Sequence, residues 1–262
     1  MPNGFTTGGY VKLYSIDAET GAYTYPETSY PKDFYGNSTH FPYTELGYSV
    51  SVSDDGNVLV AGDSLLSEVQ VHQFDGLMYQ LICTMLGEAV SLSGDGTRFA
   101  VRNGTSAIVS VFYLNAAQAE CSQIGQAIPI SISPPSSSDS YDPTELLMSL
   151  SNDGHVLAVV NPINTSGVQV YEEKYNASGH LEYVARGGAI TIANTTAISL
   201  SDDGRVLAIG VPFRDLGNGQ FEDNGLTLVY EWPLQSTTPT PVSSCMRYCI
   251  DCFFLSLLLV LL

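Results

Sequence analysis

Three cysteines near the C-terminus have the spacing of a metal or cluster site. Cys245, Cys249 and Cys252 follow the pattern Cys-x3-Cys-x2-Cys, which can ligate an iron–sulfur cluster. A cluster needs a protected pocket, whereas these cysteines directly precede the apolar end of the chain at 253–262. We therefore predict no cofactor here. Two alternatives stay open: cysteines acylated beside a membrane, or residues of a removed peptide.

A polar stretch at 212–225 carries the second group of chemically useful side chains. Its carboxylates Asp215, Glu222 and Asp223 are of the type that binds a cation or a basic partner. Clusters of like charge more often mark solvated surface, which is the alternative. We keep these three residues as the single, weak candidate for a metal site and predict no other.

No arrangement of residues in the sequence predicts catalysis. The four histidines, at positions 40, 72, 155 and 180, are far apart along the chain. The chain has no Gly-x-Ser-x-Gly, no His-Glu-x-x-His and no phosphate-binding loop. We therefore predict no catalytic residue, although a site assembled from several repeats would escape a search of this kind.

The charge of the chain restricts its partners. It has 27 acidic and 9 basic residues, which gives a net charge of −18. Binding to nucleic acid or to an anionic lipid surface requires a basic footprint, so the charge argues against both and we predict no nucleic-acid partner. The apolar fraction of 44% is ample for a folded core.

The elements that would position any site come from a fourfold repeat. Each copy has a Ser-apolar-Ser strand, an acidic turn ending in Gly, and a second apolar strand. The copies occupy 51–62, 91–101, 149–160 and 199–210. Self-similarity on this scale predicts a repeat architecture.

Each copy continues into further strands. A third strand with alternating apolar residues follows at 68–74, 107–113, 167–171 and 225–232, and a fourth at 78–83, 120–124 and 181–185. The Asp-Gly pair between strands one and two predicts a hairpin turn with positive φ at both residues. Four-stranded antiparallel units with turn glycines 40, 58 and 50 residues apart predict an all-β protein, a β-propeller.

The ends of the propeller are irregular. Residues 9–15 match the third strand of a repeat, so we predict four clear repeats and a partial first one, about five blades, with ring closure left open. The predicted domain covers 1–233, and its last repeat ends after its third strand at Trp232. Its repeats fall at about 8–46, 47–87, 88–145, 146–194 and 195–233. A Ser/Thr/Pro stalk at 234–244 and a Cys-containing apolar tail at 245–262 complete the chain.

Residues 8–233 resemble the FG-GAP repeat of integrin-alpha-like propellers. The best match is the fourth copy at 199–212 with its Gly-Val-Pro end, followed by Gly225-Leu-Thr-Leu-Val-Tyr230. The sequence Gln123-Ile-Gly125 is similar to the closing strand of that repeat. WD-type repeats are the alternative, but the missing Trp-Asp dipeptide disfavours them.

The resemblance implies a calcium loop in each repeat, and the residues here depart from it. In the fourth copy the ligand positions fall on Ser199, Ser201, Asp203 and Leu207. Calcium takes six or more oxygen ligands, and only one carboxylate remains. The last position is also apolar in the other copies, as Leu59, Phe99 and Leu157. We predict plain hairpin turns without calcium.

Five Asn-x-Ser/Thr sequons predict a glycoprotein if the chain enters the secretory pathway. They are Asn37, Asn103, Asn164, Asn176 and Asn194. No secretory signal opens the chain, which favours a truncated start over the cytoplasmic alternative. A Ser/Thr-rich composition that generates sequons by chance is the other interpretation.

The C-terminus resembles a lipid-attachment signal. Ser243 and Ser244 are small residues, followed by a short polar spacer and an apolar tail. A helix over 252–262 would span about 16 Å, too short for a bilayer core of about 30 Å. We predict a GPI anchor at these serines, with a truncated membrane helix or a buried end as alternatives.

Cys83 and Cys121 fall in the fourth strands of successive repeats. Such strands splay apart at the rim of a propeller, and a disulfide needs Cα atoms within about 7 Å. We therefore expect two separate thiols.

Taken together, the sequons, the stalk and the tail predict a cell-surface propeller that binds a protein or glycan ligand without catalysis. Membrane association would come through the C-terminal tail. The alternatives are a propeller enzyme, a hydrolase or lyase with its site at the channel mouth, and an intracellular scaffold. A fold alone does not name a ligand.

Overall fold

The computed structural model describes residues 9–16, 19–24, 33–35, 44–115, 117–130, 147–161, 167–192, 195–212, 225–232 and 240–246. Within those ranges the regular elements are all strands. The N-terminal strands are β1 (Tyr10–Lys12), β2 (Ser15–Ile16), β3 (Tyr23–Thr24) and β4 (Asp33–Tyr35). The first clear repeat forms β5 (Leu46–Val52), β6 (Val58–Asp63), β7 (Glu68–Phe74) and β8 (Tyr79–Leu86).

The later repeats follow the same order. The second forms β9 (Ala89–Leu92), β10 (Arg98–Asn103), β11 (Ile108–Asn115) and β12 (Glu120–Pro129). The third forms β13 (Met148–Leu150), β14 (Val156–Asn161), β15 (Gly167–Tyr175), β16 (Leu181–Ala185) and β17 (Ile190–Thr191). The fourth forms β18 (Ala197–Leu200), β19 (Val206–Val211), β20 (Leu226–Glu231) and β21 (Thr240–Met246).

Each repeat is a separate sheet in which strands pair in chain order. The first, second and fourth sheets have four strands, and the third adds β17 against β15. β1 pairs with β4 and β2 with β3, in two small sheets that match the predicted partial repeat. The predicted repeats of four-stranded antiparallel units are therefore confirmed.

The fourth sheet extends further than predicted. The sequence analysis ended it after its third strand and assigned the following residues to a stalk and tail, because their Ser, Thr and Pro content lacks an alternating apolar pattern. The structure adds β21, which pairs antiparallel with β20 with a register shift near Tyr230. Backbone pairing does not require apolar side chains, so an edge strand of this composition gives no periodic signal.

The acidic turns have one geometry in all four repeats. In the first, the Gly56 N–H donates to Ser53 O at 2.9 Å, and the Asp55 carboxylate accepts from Ser53 Oγ at 2.7 Å and from Asn57 N at 2.9 Å. The bond from Ser53 holds the pKa of Asp55 below its usual range. Asp95, Asp153 and Asp203 accept equivalent bonds from their own turns.

The predicted positive φ at both turn residues is wrong. Only the glycine has it, with φ of 71°, 71°, 70° and 62° at Gly56, Gly96, Gly154 and Gly204. The aspartate carboxylate stabilises an ordinary turn from its side, so the reversal needs the left-handed conformation at one residue only.

The first serine of each of the first three copies connects its sheet to the next one. Ser51 Oγ accepts the Leu92 N–H at 3.1 Å, Ser91 Oγ accepts the Leu150 N–H at 3.0 Å, and Ser149 Oγ accepts the Leu200 N–H at 2.9 Å. The second serine instead holds the turn of its own sheet, as Ser53 does when it accepts the Val58 N–H at 2.9 Å. The Ser-apolar-Ser pattern thus encodes one bond to the next sheet and one within the turn.

The chain divides into two compact units. One contains Met1–Ile130, Leu150–His155 and Glu173–Tyr183, and the other contains the remaining segments. The core of the first joins β6, β7, β9 and β10 through residues such as Val60, Val71, Phe99 and Val101. The core of the second joins β14, β15, β19 and β20 and includes Trp232 at 1% exposure.

Cys83 and Cys121 form a disulfide, so the prediction of two separate thiols is wrong. Their Cα atoms are 6.3 Å apart, within disulfide range. β7 and β8 shift register between Val71 and His72, next to the pairing of Val71 with Cys83. β8 and β12 approach each other here rather than splaying apart, and the disulfide connects the first sheet to the second.

We expect replacement of both cysteines by serine to lower the free energy of unfolding by about 2–4 kcal/mol. The bridge closes a loop between positions 38 residues apart, which restricts the unfolded chain. Urea denaturation with and without dithiothreitol measures the effect. Reductant should destabilise the wild-type protein and leave the double variant unchanged; equal sensitivity of the two proteins would contradict the bridge.

A buried histidine makes the first sheet sensitive to acid. His72 is 6% exposed, and burial lowers its pKa to about 4 from an ordinary 6.5. The unfolded chain takes up this proton near pH 6.5 and the folded chain only near pH 4. Its contribution to stability is therefore complete above pH 6.5 and is lost as the pH falls through that window.

We expect His72→Phe to flatten the dependence of stability on pH between 6.5 and 4. The register position of His72 holds Phe112, Tyr171 and Tyr230 in the other repeats, so Phe suits the site. The full shift is worth about 3 kcal/mol. Urea unfolding at several pH values measures the slope; an unchanged slope would show that other groups cause the acid sensitivity.

Candidate functional site

Backbone hydrogen bonds align the four repeats residue by residue. Ser53 N–H donates to Val58 O, and Ser93 and Ser201 donate in the same way to Arg98 and Val206. A second equivalent set donates to the residue that follows the turn glycine. The N–H groups of Phe74, Leu114, Glu173 and Trp232 donate to the carbonyls of Asn57, Thr97, His155 and Arg205. Arg98 and Glu173 therefore occupy positions that are apolar in the other repeats.

Both exceptional residues lie at the same junction. The aligned valine of one repeat faces the turn glycine of the next: an ideal Cβ on Gly96 would lie 3.1 Å from Val58, and one on Gly204 2.5 Å from Val156. Between the second and third repeats the corresponding pair is Gly154 and Arg98, at 2.6 Å. These glycines leave room for the neighbouring side chain, and the junction between the second and third repeats fills that room with a charged side chain.

Arg98 and Glu173 make a bidentate ion pair at this junction. Arg98 Nε lies 3.2 Å from Glu173 Oε1, and Nη2 lies 3.2 Å from Oε2. The side chains are 15% and 4% exposed, so the pair is nearly withdrawn from water. The hydrogen bond and charge of Glu173 raise the pKa of Arg98 against the opposing effect of burial.

Stability does not account for this pair. The other junctions use apolar contacts: Val58 packs in one core with Leu114, and Val156 packs in the other with Trp232. Exchanging an apolar contact for a buried ion pair is often neutral or destabilising, because desolvation offsets the attraction. A paired exchange of this kind therefore marks this junction as a candidate functional site.

His155 extends the pair into a three-residue network. Its Nδ1 lies 2.5 Å from Glu173 Oε2, and its side chain is 47% exposed. A carboxylate on one ring nitrogen orients the imidazole and leaves Nε2 for proton transfer. His155 comes from the turn of the third repeat and Glu173 from β15 of the same repeat, whereas Arg98 comes from β10 of the second repeat.

The surroundings of the network hold it in place. Tyr183 donates its hydroxyl to Gly154 O, and burial followed by the charge of Glu173 raises the Tyr183 pKa. Arg98 Nη1 also donates to Asp153 O at 3.5 Å, at the tip of the same turn. Tyr79 makes the equivalent bond to Gly56 O in the first repeat, so this tyrosine is part of the scaffold.

Arg98 also lines a cavity of about 760 Å³. The other wall comes from the β15–β16 hairpin, with Tyr175, His180 and Glu182. Tyr113 is 41% exposed and Tyr175 is 74% exposed, so both rings are available to a ligand. Side-chain amides of Gln123, Gln126 and Asn176 also line the cavity.

A bulge in β12 shapes this cavity. Val109 pairs with Ile128 and Val111 with Ile124, so three residues of β12 oppose one of β11. Gly125 in the bulge has φ of 64°, and a Cβ there would lie 2.8 Å from Glu182 Cα. The glycine allows β12 to lie close to β16, and Gln123 donates its Nε2 to Gly125 O at 3.2 Å within the bulge.

The structure describes only some of the predicted site residues. Asn103 ends β10 at 9% exposure, with its Oδ1 accepting the Ser106 N–H. Asn176 lies at the tip of the β15–β16 hairpin. Ser243 and Ser244 lie in β21. The sequons at Asn37, Asn164 and Asn194, the carboxylates Asp215, Glu222 and Asp223, and the tail beyond residue 246 lie outside the described residues.

The lipid anchor and the metal site remain predictions from the sequence. Within the described ranges, no helix is long and apolar enough to cross a bilayer. No group of three or more potential metal ligands occurs in those ranges either. Glycosylation, the lipid anchor and the acidic cation loop therefore remain predictions.

Arg98, Glu173 and His155 were not predicted as site residues from the sequence. His155 is one of four histidines that are far apart along the chain, and the other two residues belong to no recognisable catalytic motif. A usable signal was present: aligning the copies on their turn glycines puts Arg98 among valines. Glu173 is harder to find, because the loop between the second and third strands varies in length and obscures the alignment.

Comparison with known proteins identifies the architecture. No family model matches the sequence, and no curated protein matches it. A candidate 6-phosphogluconolactonase from Bacteroides fragilis has a TM-score of 0.58 at 15% identity, over 94% of this chain and 69% of that one. Another from Bacteroides uniformis has a TM-score of 0.59 at 15% identity, over 91% of this chain and 65% of that one.

A protein from Lactobacillus plantarum is similar in the same way. Its TM-score is 0.51 at 17% identity, over 88% of this chain and 63% of that one. The chain thus spans less than two thirds of the length of the second and third of these structures. Together with the repeated antiparallel sheets, these likenesses show that the protein is an all-β propeller. The closer resemblance to FG-GAP repeats stays a prediction.

The exchanged pair predicts a specific pattern of stabilities. Glu173→Leu leaves Arg98 buried without its carboxylate, and Arg98→Val leaves Glu173 without its cation. Each should lower the free energy of unfolding by about 3 kcal/mol. The double variant restores the apolar residues that the other junctions use and should recover most of that loss.

Urea denaturation of the four proteins gives the coupling energy as a double-mutant cycle. The matched control combines Val58→Ala with Leu114→Ala at the junction between the first and second repeats, where the coupling energy of an apolar contact should be well below that of the ion pair. Additive losses for Arg98 and Glu173 would contradict an ion pair between them.

Proposed function

We propose that this propeller is a hydrolase that opens the ring ester of a neutral sugar lactone. The observation that carries the proposal is the paired exchange of apolar residues for Arg98 and Glu173 beside a polar cavity. The names of the similar Bacteroides structures support the enzyme alternative of the sequence analysis over an adhesion module. The geometry carries more weight, because likeness at 15% identity speaks to fold alone.

The proposed chemistry uses His155 as a general base. Glu173 accepts a hydrogen bond from Nδ1–H, so Nε2 is free to accept a proton from water. The water oxygen bonds to the lactone carbonyl carbon and the ring C–O bond breaks. The alkoxide that leaves takes up one proton, and the product is a hydroxy acid. The buried Glu173 stabilises the imidazolium that forms in this step.

The charge of the cavity selects a neutral ligand. The positive charge of Arg98 is already matched by Glu173 in a bidentate pair. Glu182 adds a carboxylate to the wall, so a phosphorylated or carboxylated sugar would be repelled. Exposed tyrosine rings and amides suit the faces and hydroxyls of an uncharged sugar. This substrate class differs from the phosphorylated one in the names of the similar structures.

Glycan binding without catalysis is the second candidate function. One observation favours it: Arg98 lines the cavity, whereas His155 is not among the residues that line it. The same aromatic and amide wall would then hold a sugar without chemistry. This candidate keeps the recognition role that the sequence analysis predicted.

We expect the protein to accelerate hydrolysis of glucono-1,5-lactone, measured as acid release in a pH-stat. His155→Asn installs the residue that Asn57 provides in the first repeat and should preserve the turn. It should lower kcat/KM by a factor of about 100 or more, as expected for loss of a general base. The control His72→Phe removes a histidine of the first sheet and should leave the rate unchanged.

Binding measured separately distinguishes the two functions. Saturation of the protein by gluconic acid amide or glucose without any acceleration of lactone hydrolysis would favour the glycan-binding module. Tighter binding of 6-phosphogluconate than of the neutral sugars would contradict the proposed substrate class. Absence of both binding and hydrolysis would overturn both candidates.

A further inference from the structure

We propose that an N-linked glycan on Asn176 covers the cavity and controls access to it. The proposal concerns the β15–β16 hairpin, which holds the sequon Asn176-Ala-Ser178 at its tip. The same hairpin supplies one wall of the cavity from residues 175–176 and 179–182. A modification site and a ligand site therefore share one short segment, and this relation does not depend on the proposed reaction.

The hairpin holds the Asn176 side chain in one orientation. Its Oδ1 accepts the Ser178 N–H and the His180 N–H, both at 3.0 Å. Its Nδ2 lies 3.5 Å from Glu182 Oε2, at the limit of a hydrogen bond. The backbone fixes the oxygen, so the nitrogen that would carry the sugar is directed toward a residue of the cavity wall.

The tip is accessible to a modifying enzyme. Ala177, Ser178 and Gly179 are exposed, and Ser178 supplies the sequon hydroxyl. In the transfer, Nδ2 loses one proton and bonds to the anomeric carbon of the donor glycan, while the donor's diphosphate leaves. Among the residues that the structure describes, Asn176 Nδ2 donates to the Glu182 carboxylate over a long 3.5 Å, so little is lost when it is modified.

Asn103 offers an internal comparison. It is 9% exposed at the end of β10, and its Oδ1 accepts the Ser106 N–H at 2.9 Å. The Asn103 side chain would have to become exposed to carry a glycan, whereas Asn176 already lies at a hairpin tip. We therefore expect Asn176 to be occupied far more fully than Asn103.

The compartment belongs to the same proposal. N-glycosylation requires passage through the secretory pathway, and the cell-surface location predicted from the sequence would provide it. The Cys83–Cys121 disulfide supports this location, because disulfides persist in oxidising compartments. The cell-surface location predicted from the sequence thus remains a proposal, and the glycan on Asn176 would there control access to the cavity.

The test compares wild-type protein with Ser178→Ala, each secreted from eukaryotic cells behind an added leader. The variant removes the sequon while keeping Asn176, so the cavity wall is unchanged. Recovery from the medium ensures that both proteins have met the glycosylating enzymes. Intact-mass and glycopeptide mass spectrometry measure occupancy at Asn176 and Asn103.

Access to the cavity is read from the rate at which diethyl pyrocarbonate modifies His180, an exposed residue of the cavity wall. We expect glycosylated wild-type protein to react several-fold more slowly than Ser178→Ala. Enzymatic removal of the glycan should restore the faster rate. His155 in the same samples is the internal reference and should react equally in both.

Two results would overturn the proposal. One is an unoccupied Asn176 in secreted protein; the other is an occupied Asn176 with an unchanged His180 rate. Neither result depends on lactone hydrolysis, so this proposal and the proposed function can fail separately.

Discussion

A four-stranded sheet with two apolar faces cannot bury both of them alone, and every part of this molecule follows from that constraint. The second strands of the first, third and fourth repeats are predominantly apolar, and β6 is buried along its whole length. Successive sheets must therefore meet closely. The turn glycine makes room for the valine of the preceding repeat, and the first serine accepts an N–H from the next sheet. The same junctions therefore bury apolar side chains and provide hydrogen-bond acceptors for backbone N–H groups.

The candidate site is a local departure from that solution. At one junction the valine becomes Arg98 and the opposing apolar residue becomes Glu173, so the exchange conserves complementarity while adding charge. The site needs no new loop or insertion, because the scaffold already brings these positions together. His155 and the cavity wall use the same turn and hairpin that hold the blade in shape. Rigid elements therefore position the chemistry, as precise sites require.

Much of the fold could be predicted because local patterns encode it. Period-2 alternation located β7 to the residue, and the Asp-Gly turns located the hairpins between first and second strands. Features set by contacts between sheets could not be predicted. The pairing of Cys83 with Cys121 depends on how closely two outer strands approach, and the Arg98–Glu173 pair joins positions 75 residues apart. β21 escaped because backbone pairing leaves no trace in an irregular composition.

The serine bonds have a consequence for how such a chain can lengthen. In each of the first three repeats a serine hydroxyl accepts a backbone N–H of the following repeat. Because this bond is the same at every junction, a duplicated repeat can join its neighbours without further sequence change. The junction of Arg98 with Glu173 is different, because shuffling either copy would place a charge against valine or leucine. Duplication at the other junctions therefore preserves their contacts. The second and third repeats, in contrast, must remain neighbours in this order, because Arg98 and Glu173 pair across their junction.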